Sequence, residues 1–185
     1  TQPGVYGMYL PDSIGSYQVA GKTYLVTANE GDSRAWGEDD DAYWAGNRSK
    51  GFVEEFRVKH LVHKDGFDRR ANDDLPPQLR DLAAGALLDP INFAWCGAEK
   101  GKVGNCRNDD VLGRLNISWT MGYETDATGA PVMYNASGDK DPTGNRLMYK
   151  NLYSYGGRSF SIRDENGVLV WDSGDTFEKY LASDL

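Results

Sequence analysis

The sequence predicts a mostly β fold, and three observations carry that reading. Turn-formers are dense, with 22 glycines and 7 prolines in 185 residues. Beside them lie 11 Tyr, 5 Trp and 6 Phe in short runs with β-branched residues, the composition of many short strands joined by tight turns. Hydrophobic residues make up 39% and charged residues 26%, close to globular averages, so neither disorder nor a fibrous repeat is favoured. The length suits one ordinary domain or a piece of a larger one. An excess of 28 acidic over 20 basic residues leaves a net charge of −8, which repels phosphate backbones and argues against nucleic acid as a partner. No apolar run approaches the roughly 20 residues that cross a bilayer. The start, Thr1-Gln2-Pro3-Gly4, carries neither an initiator Met nor a signal-type segment and reads as a mature form, a processed piece or an excised segment.

In chain order, Ile14 to Val19, a turn at Ala20-Gly21-Lys22 and Thr23 to Ala28 read as a hairpin. A polar loop follows from Asn29 through Glu38-Asp39-Asp40-Asp41 to about Lys50, and Phe52 to Leu61 reads as a strand. Residues 64–110 look different. Asp74 is placed to cap a helix opened by Pro76 and Pro77, with Leu75, Leu79, Leu82 and Ala86 on one side, ending before Pro90. With the cysteine loop behind it, this stretch reads as an insertion between β elements. Strands resume at Leu112 to Met121, Val132 to Tyr134, Leu147 to Tyr155, Ser159 to Arg163 and Val168 to Trp171, the last two joined by Asp164-Glu165-Asn166-Gly167 as an Asn-Gly hairpin. A short amphipathic helix closes the chain, with Asp175 as its cap and Phe177, Tyr180, Leu181 and Leu185 on one face. About eight strands suffice for a sandwich or for two four-stranded propeller blades, and are too few for a closed propeller.

Cys96 and Cys106 flank a polar, glycine-rich stretch able to bring the sulfurs together. A disulfide in an oxidising compartment is the first reading, with free thiols or a zinc site using His60 and His63 as the alternatives. Closing so short a loop contributes about 3 kcal/mol in the chain-entropy model.

Five blocks stand in a fixed order: Leu10-Pro11-Asp12-Ser13-Ile14 with Gly21 to Arg34; Glu54-Glu55-Phe56-Arg57-Val58; Leu112-Gly113-Arg114-Leu115; Leu152 to Ile162; and Gly167-Val168-Leu169-Val170-Trp171-Asp172-Ser173-Gly174-Asp175. In wording and order the chain resembles the choice-of-anchor I family of secreted and surface proteins. The resemblance implies an all-β partial propeller of about two four-stranded blades with a helical insertion, the remaining blades being partners from outside this segment. It also implies a secreted, extracellular or periplasmic location, and a metal-dependent, alkaline-phosphatase-like phosphoesterase acting on a phosphorylated small molecule. The alternative is a non-catalytic adhesion or scaffold module with a cell-surface partner and structural calcium. One departure concerns metal: the family's Asp-x-Asp-Gly-Asp-Gly repeat is replaced by Gly138-Asp139-Lys140-Asp141-Pro142-Thr143-Gly144-Asn145, which lacks a carboxylate.

The residues themselves offer three candidate sites. Asp139 and Asp141 alternate as oxygen ligands in a calcium loop do, with a glycine at the sixth position, but Lys150 stands where the bidentate Glu belongs. The plain alternative is a turn whose Asp and Asn side chains bond their own backbone. Asn29, Glu30, Asp32 and Arg34 leave a strand end together, with Glu54, Glu55 and Arg57 as neighbours. In the enzyme reading Asn29, Glu30, Asp32 and Glu55 hold a divalent metal, calcium foremost. Glu30 and Asp32 then also act in catalysis, and Arg34 orients the anionic substrate. In the structural reading the same groups are an ion-paired lattice that pins loops. Trp36, Tyr43 and Trp44 lie in the polar loop and offer a binding surface if the chain is not an enzyme. Ser13, Ser159 and Ser173 all lie outside any Gly-x-Ser-x-Gly motif, and two histidines within one predicted strand do not support a Ser-His-Asp triad.

Overall fold

A computed structural model describes residues 2–63, 75–157 and 159–183. The expected cap at Asp74, the position of Arg158 and the terminal Leu185 lie outside the described residues. Strand accounts for 34% and helix for 17%, in four small sheets among the described residues, none of them closed. The fold is therefore mostly β, as the glycine and aromatic pattern requires. The chain divides into two compact units, one comprising Thr1–Tyr6 and Ser33–Ser154, the other Gly7–Asp32 and Tyr155–Leu185.

The second unit is built from both ends of the sequence. Strands β2 (Pro11–Val19), β3 (Lys22–Asn29), β12 (Phe160–Asp164) and β13 (Leu169–Asp172) form one sheet in the order β13-β12-β3-β2. Every neighbouring pair is antiparallel. The β2–β3 hairpin turns where expected: Ala20 and Gly21 have φ of 52° and 77°, the left-handed pair that matches the twist of the strands. Ala20 is the one non-glycine with positive φ among the described residues. The β12–β13 turn differs from expectation. Gly167 alone adopts positive φ while Asn166 does not, and the Gly167 N–H donates to the Asp164 carbonyl at 3.0 Å. This is a turn with a bulge glycine rather than a two-residue Asn-Gly turn, because the Asp164 carboxylate accepts from the Asn166 and Val168 N–H groups and holds the longer loop. The closing helix α4 (Thr176–Ser183) forms, but it buries no residue; Phe177, Tyr180 and Leu181 remain 51–68% exposed. Asp175 meets Lys179 as an ion pair at 2.9 Å.

The first unit holds the main hydrophobic core. One sheet runs in the order β1 (Val5–Gly7), β11 (Leu152–Ser154), β8 (Asn116–Ser118), β6 (Glu55–Arg57). A second has β7 (Ala86–Leu88) parallel to β10 (Arg146–Tyr149), which pairs antiparallel with β9 (Met133–Tyr134). A short ladder joins β4 (Ala35–Trp36) to β5 (Phe52–Val53). Around Phe93, Ile117, Leu147, Tyr149 and Leu152, all buried, pack α2 (Val58–Leu61) and α3 (Pro77–Leu82). Helix α3 starts on its proline as expected and buries Leu79, but Ala86 belongs to β7 instead of its apolar face.

Three long strands expected from sequence are shorter or broken. Phe52 to Leu61 is interrupted at Glu54, and its last four residues form α2. His60 and His63 therefore flank the end of a helical turn rather than sharing a strand. Leu112 to Met121 contributes only β8, because the Gly113 N–H donates to Asn108 O in a turn so tight that a Cβ there would stand 2.2 Å from the Arg107 carbonyl. Leu147 to Tyr155 divides into β10 and β11 at Lys150-Asn151, whose N–H groups both turn to the Gly122 carbonyl. The cysteine reading resolves in favour of the disulfide: Cys96 and Cys106 are bonded, with their Cα atoms 4.9 Å apart. Tyr43, expected in an exposed loop, is fully buried. The acidic run folds into α1 (Asp41–Trp44), with the Asp40 side chain accepting from Ala42 N–H at 2.8 Å, and that turn directs Tyr43 inward onto Gln78 and the Val53 N–H.

Replacing Ala20 by Asn, which tolerates the left-handed region, should raise stability by about 0.5–1 kcal/mol. A urea titration of the two proteins by circular dichroism measures it; a lowered midpoint contradicts the turn geometry.

Candidate functional site

The residues proposed from sequence fall into two places. Asn29, Glu30 and Asp32 belong to the second unit; Arg34, Glu54, Glu55, Asp139 and Asp141 belong to the first.

In the second unit, Asn29 closes β3 and is buried. Its amide donates to Ser159 Oγ and Ser161 Oγ, both at 2.9 Å, and its Oδ1 accepts from Thr27. The two serines donate in turn to Asp172 Oδ2. A polar chain therefore runs across β3, β12 and β13 with each group satisfied, which is what burial of such groups demands. Ser159 and Ser173 are occupied within this region as hydrogen-bonding groups, Ser173 Oγ accepting from the Phe160 N–H. Beside the chain, Asn29, Glu30, Gly31 and Asp32 line an open hollow of about 650 Å³ with Ser159, Phe160 and Phe177. Glu30 and Asp32 are exposed there.

In the first unit the dominant feature is Glu54. It sits in the break between β5 and β6, only 3% exposed. Arg34 grips it bidentately, Nε to Oε2 at 2.7 Å and a terminal nitrogen to Oε1 at 2.9 Å. Ser118 donates to Oε1 at 2.6 Å and Thr120 at 3.2 Å. The backbone repeats the bond, since Glu54 N–H donates to the Arg34 carbonyl. The Arg34 bond, followed by those of Ser118 and Thr120, outweighs burial and holds the carboxyl well below the usual range, at about 2. Glu55 opens β6, is half-buried and pairs across the ladder with Ser118. The bonds that hold the Glu54 carboxylate come from Arg34, Ser118 and Thr120.

Asp139 and Asp141 lie in the β9–β10 connection. Asp141 Oδ1 accepts from the Thr143 N–H at 2.9 Å and from Thr143 Oγ1 at 2.7 Å, and these bonds lower its pKa. Asp139 pairs with Lys100. The geometry is that of an Asx turn, one of the two readings that spacing allowed. Among the described residues no group of three His, Cys, Asp or Glu side chains is arranged to hold a metal ion.

A second charged cluster has no signature in the sequence. Asp89, at the end of β7, is buried and bonds Lys150 at 2.5 Å while accepting from the Ile91 and Asn92 N–H groups. Glu124 receives Lys140, Lys150 and the Tyr134 hydroxyl. Burial pushes the Asp89 carboxyl up, but Lys150 and the two backbone donors outweigh it and its pKa is lowered; the Lys140 and Tyr134 bonds bring Glu124 to about 2. These partners come from four stretches of the chain, Asp89 after β7, Glu124, Tyr134 with Lys140, and Lys150 after β10, brought together by the β7–β10–β9 pairing and by the Glu124 N–H bond to the Met148 carbonyl.

The molecule so described is a disulfide-stapled, mostly β protein, and among the described residues no helix is long and apolar enough to cross a membrane. The chain belongs to the choice-of-anchor I domain family, whose model matches residues 1–185, and choice-of-anchor domains are cell-surface associated. Neither a curated protein nor a solved structure matches it.

Replacing Glu54 by Gln removes the charged bidentate pair and should cost about 1–3 kcal/mol at neutral pH. Because the folded pKa lies below the unfolded value of 4.5, this contribution is complete above about pH 4.5 and fades as pH falls toward 2. Stability curves of wild type and variant should therefore converge across that window; a difference that stays constant down to pH 2 contradicts the assignment.

Proposed function

We propose that this chain is a non-catalytic module of a secreted or cell-surface protein, serving adhesion or scaffolding. The observation that carries the reading is the state of Glu54 and Arg34. The arginine expected to orient an anionic substrate is bound to a carboxylate through both nitrogens of its fork, and that carboxylate is saturated by two hydroxyl donors as well. Groups held in this way stiffen a loop, and recruiting them to a metal or a phosphate would first require breaking several charge-assisted bonds. Asp141 and Asn29 are likewise engaged by their own turn and strands.

Support for an interaction role comes from the surface. Trp36 is 55% exposed on β4, as expected of the aromatic loop, and Trp171, Phe177 and Tyr180 are 45–68% exposed in the second unit. In the second unit Trp171 and Phe177 both pack on Phe160, so their exposed rings form a local aromatic patch of the kind that can serve an interaction surface. The order β2-β3-β12-β13, antiparallel throughout, has the strand number found in a propeller blade, which supports reading the second unit as one blade of a propeller.

The competing phosphoesterase reading makes a different demand, since it needs a metal at Glu30 and Asp32 beside their hollow. Hydrolysis of p-nitrophenyl phosphate, with calcium, with zinc and with EDTA, separates the two. We expect no turnover above background under any condition and a melting temperature that calcium shifts by less than a degree or so. Metal-dependent turnover that Glu30→Gln or Asp32→Asn abolishes overturns the module reading. A calcium-dependent rise in melting temperature that Asp141→Asn removes restores an ion to the β9–β10 loop.

A further inference from the structure

The first unit contains a partly enclosed cavity of about 380 Å³ that no residue motif announced. Its floor is apolar, with Val62, Leu87 and Val103, and its polar lining holds His63, Arg107, Arg146 and Lys102, the last already paired with Glu99 at 3.3 Å. Among the described lining residues there is no carboxylate, in a chain whose net charge is −8. Arg107 spends Nε on the Lys59 carbonyl at 3.1 Å, and Arg146 spends one terminal nitrogen on the Ala84 carbonyl. Neither guanidinium meets an acidic side chain among the described residues, whereas Arg34 and Arg48 each do. A guanidinium carries five donors, so both retain N–H groups, and both are half-buried. Donors left over on a partly desolvated guanidinium suit a planar anion.

The walls are rigid before any ligand arrives. Lys102 and Val103 lie inside the loop closed by the Cys96–Cys106 disulfide, and Arg107 follows it directly. That loop is pressed against the β9–β10 connection. A Cβ on Gly101, at φ +72°, would stand 2.7 Å from the Ser137 carbonyl, and one on Gly138, at φ +83°, 2.6 Å from the Gly101 nitrogen. Lys100 and Asp139 tie the same two loops by an ion pair. Arg146 is fixed from the other side, because the next residue, Leu147, is in register with Ala86 of the parallel β7 strand.

The geometry points to a binding site for a small organic anion: a carboxylate or phosphate headgroup between Arg107 and Arg146, and a compact apolar body on Val62, Leu87 and Val103. Bidentate N–H donors recognise either headgroup, and the volume lies within the range of small-molecule sites. The inference does not depend on the module being catalytic or not.

Isothermal titration calorimetry of the whole chain at low ionic strength, with phenyl phosphate, phenylacetate, inorganic phosphate and benzyl alcohol as probes, tests it. At least one of the two aromatic anions should bind tenfold or more tightly than both inorganic phosphate and benzyl alcohol, and the tighter of the two identifies the headgroup. Arg107→Gln and Arg146→Gln should each weaken that binding about tenfold. Amide chemical-shift mapping on the unmodified protein guards against misfolded variants, and shifts should concentrate at Lys102, Val103, Arg107 and Arg146. Absence of binding by both aromatic anions, inorganic phosphate matching them, or shifts confined to residues elsewhere would overturn the proposal.

Discussion

The first unit depends on how one carboxylate is kept charged away from water. Glu54 occupies the break between two strands, where a side chain must point into the protein, and an unpaired charge there would be prohibitive. Arg34, Ser118 and Thr120 converge on it from two other segments. The pair joins the β4–β5 ladder to β8, and the neighbouring main-chain bonds from Glu54 to Arg34 and from Trp119 to Glu54 follow the same path. The guanidinium remains largely in solvent, 70% exposed in its side chain, while the carboxylate is 5% exposed. Solvent thus bears part of the desolvation on the cationic side, and the arrangement avoids burying both charges.

The second unit solves the same problem with neutral groups. Asn29, Ser159 and Ser161 pass hydrogen bonds across three strands to Asp172, and Asp172 also accepts from the Gly174 N–H. Such a chain fixes register, because sliding one strand by a residue would turn every one of these side chains to the other face. It also gives Asn29, one of the residues suggestive of metal chemistry in the sequence, a role in strand pairing. Oxygen-rich loops and hydrogen-bonded strand ends draw on the same side chains, and only their partners distinguish them.

Much of the β character was legible, and so was the disulfide. The Ala20-Gly21 turn, the proline-led start of α3 and the loop between the cysteines depend on neighbours in sequence, where local rules are strongest. What was hidden depends on distant partners. Glu54 and Glu55 look alike in sequence, and only the fold shows that Glu54 is the one gripped by Arg34. Asp89, Glu124 and Lys150 form a cluster because β7 pairs parallel to β10 across an interval of some 60 residues, which no motif spells out. Arg107 and Arg146 were unremarkable as letters; that neither meets an acidic side chain among the described residues is visible only once the fold is known. The long strands read from Phe52 and Leu112 failed at Glu54 and Gly113, where a buried charge and a tight turn override β propensity.

The ionisation of Glu54 is therefore the property on which the first unit turns. Carboxyl-detected NMR titration of the selectively labelled side chain measures it directly. The structure predicts a midpoint approaching 2, unchanged by added calcium, and raised when Arg34 is replaced by Ala. A midpoint near 4.5 in the unmodified protein, or one that calcium displaces, would mean that the carboxylate is free for other chemistry and that the module reading built on it is wrong.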